Sequence, residues 1–215
     1  MTNPTQGGIK RPWLWSLFAL VLLTIPATAT MMMRNRRPAL PSYGQVPAFS
    51  LTDQTGKPFD SRALAGKVWV ADFVFTSCSA ICPRLTEEMA RLQRHLVNRG
   101  ADARMQLVSF TVDPERDTPE RLQAYATGFL AQPSLWKFLT GSSKAIEAAV
   151  VDGFKQAIEK EKDKDAVDGF SILHGSKFVL VDGGGTIRGF YDSSDATSMS
   201  KLRDDIAALL ERGGV

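Results

Sequence analysis

Hydrophobic and polar positions along the chain form runs that predict strands and helices in turn. Residues 68–75 (VWVADFVF) are β-branched, aromatic and nearly all apolar, which is typical of a central strand buried on both faces. The segment from Pro83 to about Arg99 then places leucine and methionine at helical spacing, and proline suits a first helical turn. Gly100 is expected to end that helix.

The remaining pattern continues the alternation of strand and helix. Further strands are predicted at 48–53, 104–112, 136–140, 177–181 and 187–191, and further helices at 118–129, 143–151 and around 199–209. The charge-rich segment 155–168 is expected to be a solvated loop or an irregular hairpin. This order predicts an α/β sandwich with a mixed central sheet. A cysteine pair directly after the first central strand is the thioredoxin arrangement, so the fold is expected to be thioredoxin-like.

The N-terminal region carries an uncharged apolar run at residues 13–33. It is long enough to cross a bilayer as a helix, and Trp13 and Trp15 stand at one edge as interfacial aromatic residues do. A cleaved signal peptide with an A-x-A site ending at Ala29 is the alternative. We favour a transmembrane anchor because the apolar run continues past that site.

The domain organisation follows from this segment. We expect a cytoplasmic N-terminus at 1–12, an anchor or signal segment at 13–33, a proline-containing linker at 34–47 and one domain at 48–213. Three arginines follow the apolar run and two basic residues precede it. That count alone would place the domain inside, against the exported position that the function below requires.

Composition and charge narrow the function classes. The chain is 44% hydrophobic and 23% charged, as is ordinary for a globular protein, and its net charge is +3. The basic residues are scattered and form no stripe with interleaved aromatics, so nucleic-acid binding is not expected.

The chain has two cysteines, Cys78 and Cys82, in the sequence FTSCSAICP. Their C-x-x-x-C spacing could hold a structural disulfide, a redox pair or part of a metal site. A structural disulfide is disfavoured, because so short a loop constrains an unfolded chain little. Both residues are expected near a helix N-terminus, where the helix dipole favours the thiolate that binds a soft metal or attacks a disulfide.

The chain has two histidines that could supply a third metal ligand. His95 falls within the predicted helix after Cys82 and is interpreted as a residue at its solvent edge. His174 precedes the strand at 177–181, and in a thioredoxin-like fold the loop entering that strand packs beside the cysteine turn. Two thiolates and one imidazole suit copper as Cu(I) or Cu(II), whereas a structural zinc site would want a fourth protein ligand.

The segment after the second central strand, VDPERDTPE at 112–120, is also distinctive. Thr118 as an N-cap and Pro119 as the first helical residue explain its end. Asp113 and Asp117 are not explained by capping. We expect them to orient the loop beside the cysteines and thus to support the site indirectly.

Three motifs together carry a family resemblance: FTSCSAICP, VDPERDTPE, and His174 followed by FVLVD. In this order and spacing they resemble the Sco/SenC family over residues 45–211. The resemblance implies a thioredoxin-like domain that binds one copper through Cys78, Cys82 and His174. It also implies a single-pass protein of the bacterial inner membrane, with the domain on the periplasmic or outer side.

The same resemblance implies copper delivery to the dinuclear copper site of cytochrome c oxidase subunit II, with a separate protein as the copper donor. The alternative function is that of a thiol–disulfide oxidoreductase, which would reduce the acceptor cysteines through a redox disulfide between Cys78 and Cys82. The chain is therefore expected to be primarily an assembly factor rather than an enzyme. A thioredoxin-type peroxidase is disfavoured, because Thr76 lies two residues before Cys78 instead of three.

Overall fold

A computed structural model of the chain describes residues 39–79, 81–100, 102–154 and 176–214. The predicted anchor at 13–33, the first part of the linker, the charged segment 155–168 and His174 lie outside these residues. In the described part of the chain, no helix combines the length and apolar character needed to cross a membrane.

The described residues form one mixed sheet of eight strands with helices on both faces. The strands are β1 (Gly44–Gln45), β2 (Ser50–Asp53), β3 (Pro58–Asp60), β4 (Val68–Val74), β5 (Met105–Thr111), β6 (Trp136–Thr140), β7 (Lys177–Val181) and β8 (Thr186–Asp192). The helices are α1 (Ile81–Asn98), α2 (Pro119–Gly128), α3 (Ser143–Ile146) and α4 (Ala196–Glu211). This confirms the predicted thioredoxin-like α/β sandwich.

The sheet order places the longest apolar strands at its centre. The order is β1-β8-β7-β4-β5-β6-β2-β3, in which β4, β5 and β6 are parallel and the other pairs are antiparallel. All seven residues of β4 and all seven of β5 are buried. Strands covered on both faces need apolar side chains at nearly every position, which explains their sequences.

Alternation along β4 assigns its side chains to two separate cores. Val70 and Val74 belong to the core beneath α1, α2 and α4, whereas Trp69 and Phe73 belong to the core on the opposite face. Leu85, Met89, Leu92 and Leu96 form the buried stripe of α1, as their spacing predicts. The connection from β4 to α1 therefore lies at the edge of the first core.

Most predicted elements are confirmed to within two residues. β6 and β7 have the predicted bounds, and Thr118 caps α2 by accepting from the Arg121 N–H. The predicted helix at 143–151 begins as the short α3, capped by Ser142, and continues as a π-helix over Glu147–Asp152. α1 begins at Ile81, two residues before the proline that was expected to open it.

Candidate functional site

The two cysteines lie where β4 ends and α1 begins. Cys78 is half-buried in the connecting turn, and Cys82 is the second residue of α1 and only 6% exposed. Both carry unbridged thiols. The backbone N–H of Cys82 points at the Cys78 sulfur, with N and Sγ 3.4 Å apart. The helix N-terminus thus offers one donor to the more accessible sulfur, as the sequence predicted.

The second cysteine behaves differently from this expectation. Burial raises the pKa of the Cys82 thiol to about 12, against a lowering by the backbone at Phe75, and the nearby Cys78 and Asp72 raise it further. The expectation that the helix terminus favours thiolate at both positions is therefore wrong for Cys82. Removal from water outweighs the local dipole, so Cys82 holds its proton at neutral pH.

Asp117 ties the cysteine turn to the neighbouring connection between β5 and α2. Its carboxylate is fully buried and accepts from the Thr76 N–H at 3.0 Å, the Thr76 hydroxyl at 2.5 Å and the Thr111 hydroxyl at 2.6 Å. Thr76 stands two residues before Cys78. Because β4 and β5 are parallel, their carboxyl ends meet at one edge of the sheet, which brings the two connections together.

Asp113 has a more local set of contacts. Its carboxylate pairs with Arg116 at 3.0 Å, and its backbone carbonyl accepts from the Asp117 N–H at 2.9 Å. Its side chain thus faces its own loop, and it touches the Asp117 network only through the backbone. The structure therefore joins Asp117 directly to the cysteine turn, through Thr76, and joins Asp113 to that turn only through Asp117.

A second buried carboxylate, Asp72 in the middle of β4, was not singled out from the sequence. It is completely buried, and neither of its side-chain oxygens has a hydrogen-bond partner in the described residues. Burial raises its pKa to about 7, while Ser109 opposes that shift. An aspartate within an otherwise apolar strand was the available sequence signal.

The first turn of α1 is held by a short chain of hydroxyl groups. Thr86 donates to the carbonyl oxygen of Cys82 at 2.8 Å, and its Oγ1 lies 2.8 Å from the Tyr125 hydroxyl of α2. Because the Thr86 hydroxyl has one proton and donates it to that carbonyl, the Tyr125 hydroxyl is the donor in this second bond. Burial raises the pKa of the Tyr125 hydroxyl to about 12, and the negative charges of Cys82, Asp72 and Cys78 in their ionised forms raise it further.

The described residues bring two thiols to one turn but form no complete metal cluster. No three His, Cys, Asp or Glu side chains among them are grouped so that they could hold a metal ion. His95 is thirteen residues beyond Cys82 on the same helix, about 20 Å along the axis, and cannot join the sulfurs. Burial lowers its pKa, as do the charges of Arg99 and Arg203. Its interpretation as a residue away from the site holds, and His174 lies outside the described residues.

Comparison with known proteins places this arrangement in a family. The family model described as SCO1/SenC matches residues 40–211. The chain belongs to the SCO1/SenC family. A SCO1 protein homolog of Bacillus subtilis (strain 168) is 35% identical over 163 residues, covering 75% of this chain and 81% of the relative.

Two further SCO1/SenC comparisons bear on the site. A Stutzerimonas stutzeri relative whose name describes copper binding is 31% identical over 183 residues, covering 80% of this chain and 84% of the relative. A solved structure of BsSco, described as having a disulfide switch and as a member of the Sco family of cytochrome c oxidase assembly proteins, is 30% identical. It covers 81% of this chain and 97% of its own, with a TM-score of 0.65.

Proposed function

We propose that the chain is a copper carrier for cytochrome c oxidase assembly, which binds one Cu(I) or Cu(II) ion through Cys78, Cys82 and His174 and delivers it to the dinuclear site of subunit II. The observation that supports this most is the placement of Cys78 and Cys82 at the junction of β4 and α1 in a SCO1/SenC chain. Thiolates are soft ligands that suit copper, and an imidazole completes a three-ligand set. The ion is cargo that arrives from a donor protein and leaves to an acceptor.

The residues around the sulfurs support a carrier that keeps its site intact when empty. Asp117 fixes the turn before Cys78, and the hydroxyl chain through Thr86 fixes the backbone at Cys82. A preformed arrangement lowers the ordering cost of binding. We assign Asp117 a direct supporting role and Asp113 a supporting role through its backbone contact with Asp117.

The copper proposal is tested with the reduced full chain under anaerobic conditions. Titration with Cu(I) should give one ion per chain, and the Cu(II) form should show a thiolate-to-copper charge-transfer band. His174→Ala should weaken copper binding by about 100-fold or more while both thiols stay reactive. His95→Ala is the matched control and should bind as the unmodified chain does. Equal copper retention by the two histidine variants would refute the ligand set.

Thiol–disulfide exchange with the acceptor cysteines is the second candidate. It is favoured by the contrast between a half-buried Cys78 and a buried Cys82, since an accessible attacking sulfur and a protected second one are typical of redox pairs. This reaction requires both cysteines and not His174. A His174→Ala chain that reduces the acceptor at the unmodified rate while failing to load copper would favour this role.

We further propose a single-pass protein of a bacterial inner membrane, anchored by residues 13–33, with the domain on the periplasmic or outer side. The apolar run and the need to reach an oxidase copper site support this placement. Protease added to intact spheroplasts should digest the domain. Full protection until the membrane is lysed would place the domain inside, as the arginine count after the segment would suggest.

A further inference from the structure

A cavity between α1 and α4 brings several basic side chains together, away from the cysteine turn. Its volume is about 350 Å³, a size that suits a small ligand, and its apolar lining includes Leu92, Leu96 and Ile206 of the two helices. We call this cavity the α1–α4 cleft. Its titratable lining consists of one histidine, three arginines and two carboxylates: His95, Arg99, Arg104, Arg203, Asp204 and Glu211.

Two of the three arginines keep their charged groups unpaired within the described residues. Arg99 is exposed directly after the end of α1, and Arg203 is half-buried in α4. Neither guanidinium makes a hydrogen bond or an ion pair with another described residue. Arg104 differs, because it donates to the carbonyl oxygen of Leu210 at 3.0 Å. Three arginines against two carboxylates leave the cleft with one positive charge in excess, before any charge on His95.

The ends of the helices explain only part of this set. Arg99 lies at the carboxyl end of α1, and Arg104 contacts the carboxyl end of α4, where the helix dipole favours a positive charge. Arg203 lies eight residues before Glu211, the last residue of α4. The influence of the dipole is confined to the last turn, so it does not account for Arg203.

His95 lies among these charges. It is half-buried on α1 and lines the cleft together with Arg203 and Arg99. Burial lowers the pKa of the imidazole, and the charges of both arginines lower it further. Like charges within one cavity repel one another, and an anion bound among them would remove that repulsion. The cleft is therefore electrostatically complementary to a negatively charged group.

A second cavity, of about 410 Å³, adjoins the cleft and shares Leu92, His95 and Arg203 with it. The arginine that it adds is Arg91, whose guanidinium is paired with Glu87 and Glu88 at 2.9 and 2.8 Å. The positive charge of Arg91 is thus compensated on its own helix. The uncompensated charge lies on the other side, in the α1–α4 cleft.

We propose that the α1–α4 cleft binds a phosphate group, with Arg203 and Arg99 as its principal contacts and His95 at its wall. The planar guanidinium presents pairs of donors that match phosphate oxygens. A phosphate carries its oxygens in a tetrahedral arrangement, so it can accept from donors that converge from α1, from α4 and from Arg104 before β5. Free phosphate and the headgroup of an anionic phospholipid offer this same chemistry.

The imidazole of His95 serves as the probe. Its NMR resonance, identified by its loss in His95→Gln, is followed in the full chain in nonionic detergent as inorganic phosphate replaces chloride at constant ionic strength. Binding should give a saturating shift and raise the pKa of His95, because the anion offsets the arginine charges. Arg203→Gln and Arg99→Gln should each weaken phosphate binding by about 10-fold or more, as the loss of a hydrogen bond to a charged group does.

A charge-matched control comes from the same helix. Arg94 is exposed on α1 and does not line the cleft, so Arg94→Gln removes one positive charge and should leave the phosphate affinity unchanged. Arg99 is also exposed, so Arg99→Gln keeps the test decisive if Arg203→Gln lowers the melting temperature.

A second arm separates the two sources of phosphate. The same detergent micelles are doped with phosphatidylglycerol or, as the zwitterionic counterpart, with phosphatidylcholine. A shift of the His95 resonance with phosphatidylglycerol but not with inorganic phosphate would support the site and identify a lipid headgroup. A shift with inorganic phosphate but not with the lipid would support it and identify a soluble phosphate compound.

Two results would overturn the proposal. One is the absence of a His95 shift with either source of phosphate, and the other is equal phosphate affinity in the unmodified chain and in both cleft variants. Neither measurement involves copper, so the copper carrier and the phosphate site are tested independently.

Discussion

At the scale of single residues, two fully buried aspartates of this domain differ in how their charge is compensated. Asp117 receives two hydroxyl donors and one backbone donor, whereas Asp72 receives none within the described residues. Hydrogen bonds to a charged group stabilise a fold, and an uncompensated carboxylate weakens it. The first aspartate therefore stabilises the cysteine turn, and the second destabilises the fold in its charged form.

Replacing Asp117 tests the first half of this contrast. Asp117→Ala leaves the Thr76 N–H and the hydroxyls of Thr76 and Thr111 without their acceptor, so we expect a loss of about 3 kcal/mol in the free energy of unfolding. Asp113→Ala is the control: it removes a carboxylate of the same loop whose partner Arg116 is mostly exposed, and should cost less than about 1 kcal/mol. Urea unfolding measures both, and equal losses would contradict the anchoring role.

At the scale of elements, local pattern is enough to predict most of the fold. β6 and β7 begin and end as predicted, because compact apolar runs bounded by polar turns specify short buried strands. β1 was not predicted. Its two residues, Gly44 and Gln45, are held by backbone pairing with β8, which requires no alternation of apolar and polar side chains. The π-helix after α3 was also missed, because apolar residues at 146, 149 and 150 fit an α-helix equally well.

The start of α1 shows the limit of rules based on one residue. The backbone N–H groups of a helix's first turn have no acceptor within the helix, so a proline there costs no helical hydrogen bond. Pro83 is therefore compatible with a helix that begins at Ile81. The prediction of the site from the sequence has a similar limit. The turn and the Asp117 contact follow from adjacent parallel strands, but the high pKa of Cys82 depends on packing from distant segments, which the sequence around the cysteines does not contain.

At the scale of the whole molecule, the site and the core share the same buried space. The cluster that contains Cys82 also contains the apolar faces of α1, α2 and α4, so the environment that protects the sulfur is the one that stabilises the domain. Asp72 is fully buried in the central strand β4, where its charged form is costly to remove from water. The cost of Asp72 should therefore appear in the stability of the entire fold rather than in one loop.

This cost has a definite dependence on pH. Burial raises the pKa of Asp72 to about 7 in the folded protein, from 3.8 as its ordinary value. The folded state therefore binds a proton that the unfolded chain has lost between these limits, and stability falls as the pH rises through them. Between pH 5 and pH 8 the unmodified chain should lose about 3 kcal/mol that Asp72→Asn does not lose, at about 1.4 kcal/mol per pH unit below the folded pKa.

Urea unfolding of the full chain at both pH values measures the difference, and Asp53→Asn supplies a contrast of opposite sign. Burial of Asp53 tends to raise its pKa, but hydrogen bonds from Thr55, Lys137 and Lys57 prevail and lower it. Its charged form therefore stabilises the fold, so Asp53→Asn should be less stable than the unmodified chain at pH 8, and the deficit should shrink only as the pH falls below about 4. If Asp72→Asn and the unmodified chain showed the same change between pH 5 and pH 8, Asp72 would already be ionised or compensated at the lower pH, and burial would not be raising its pKa.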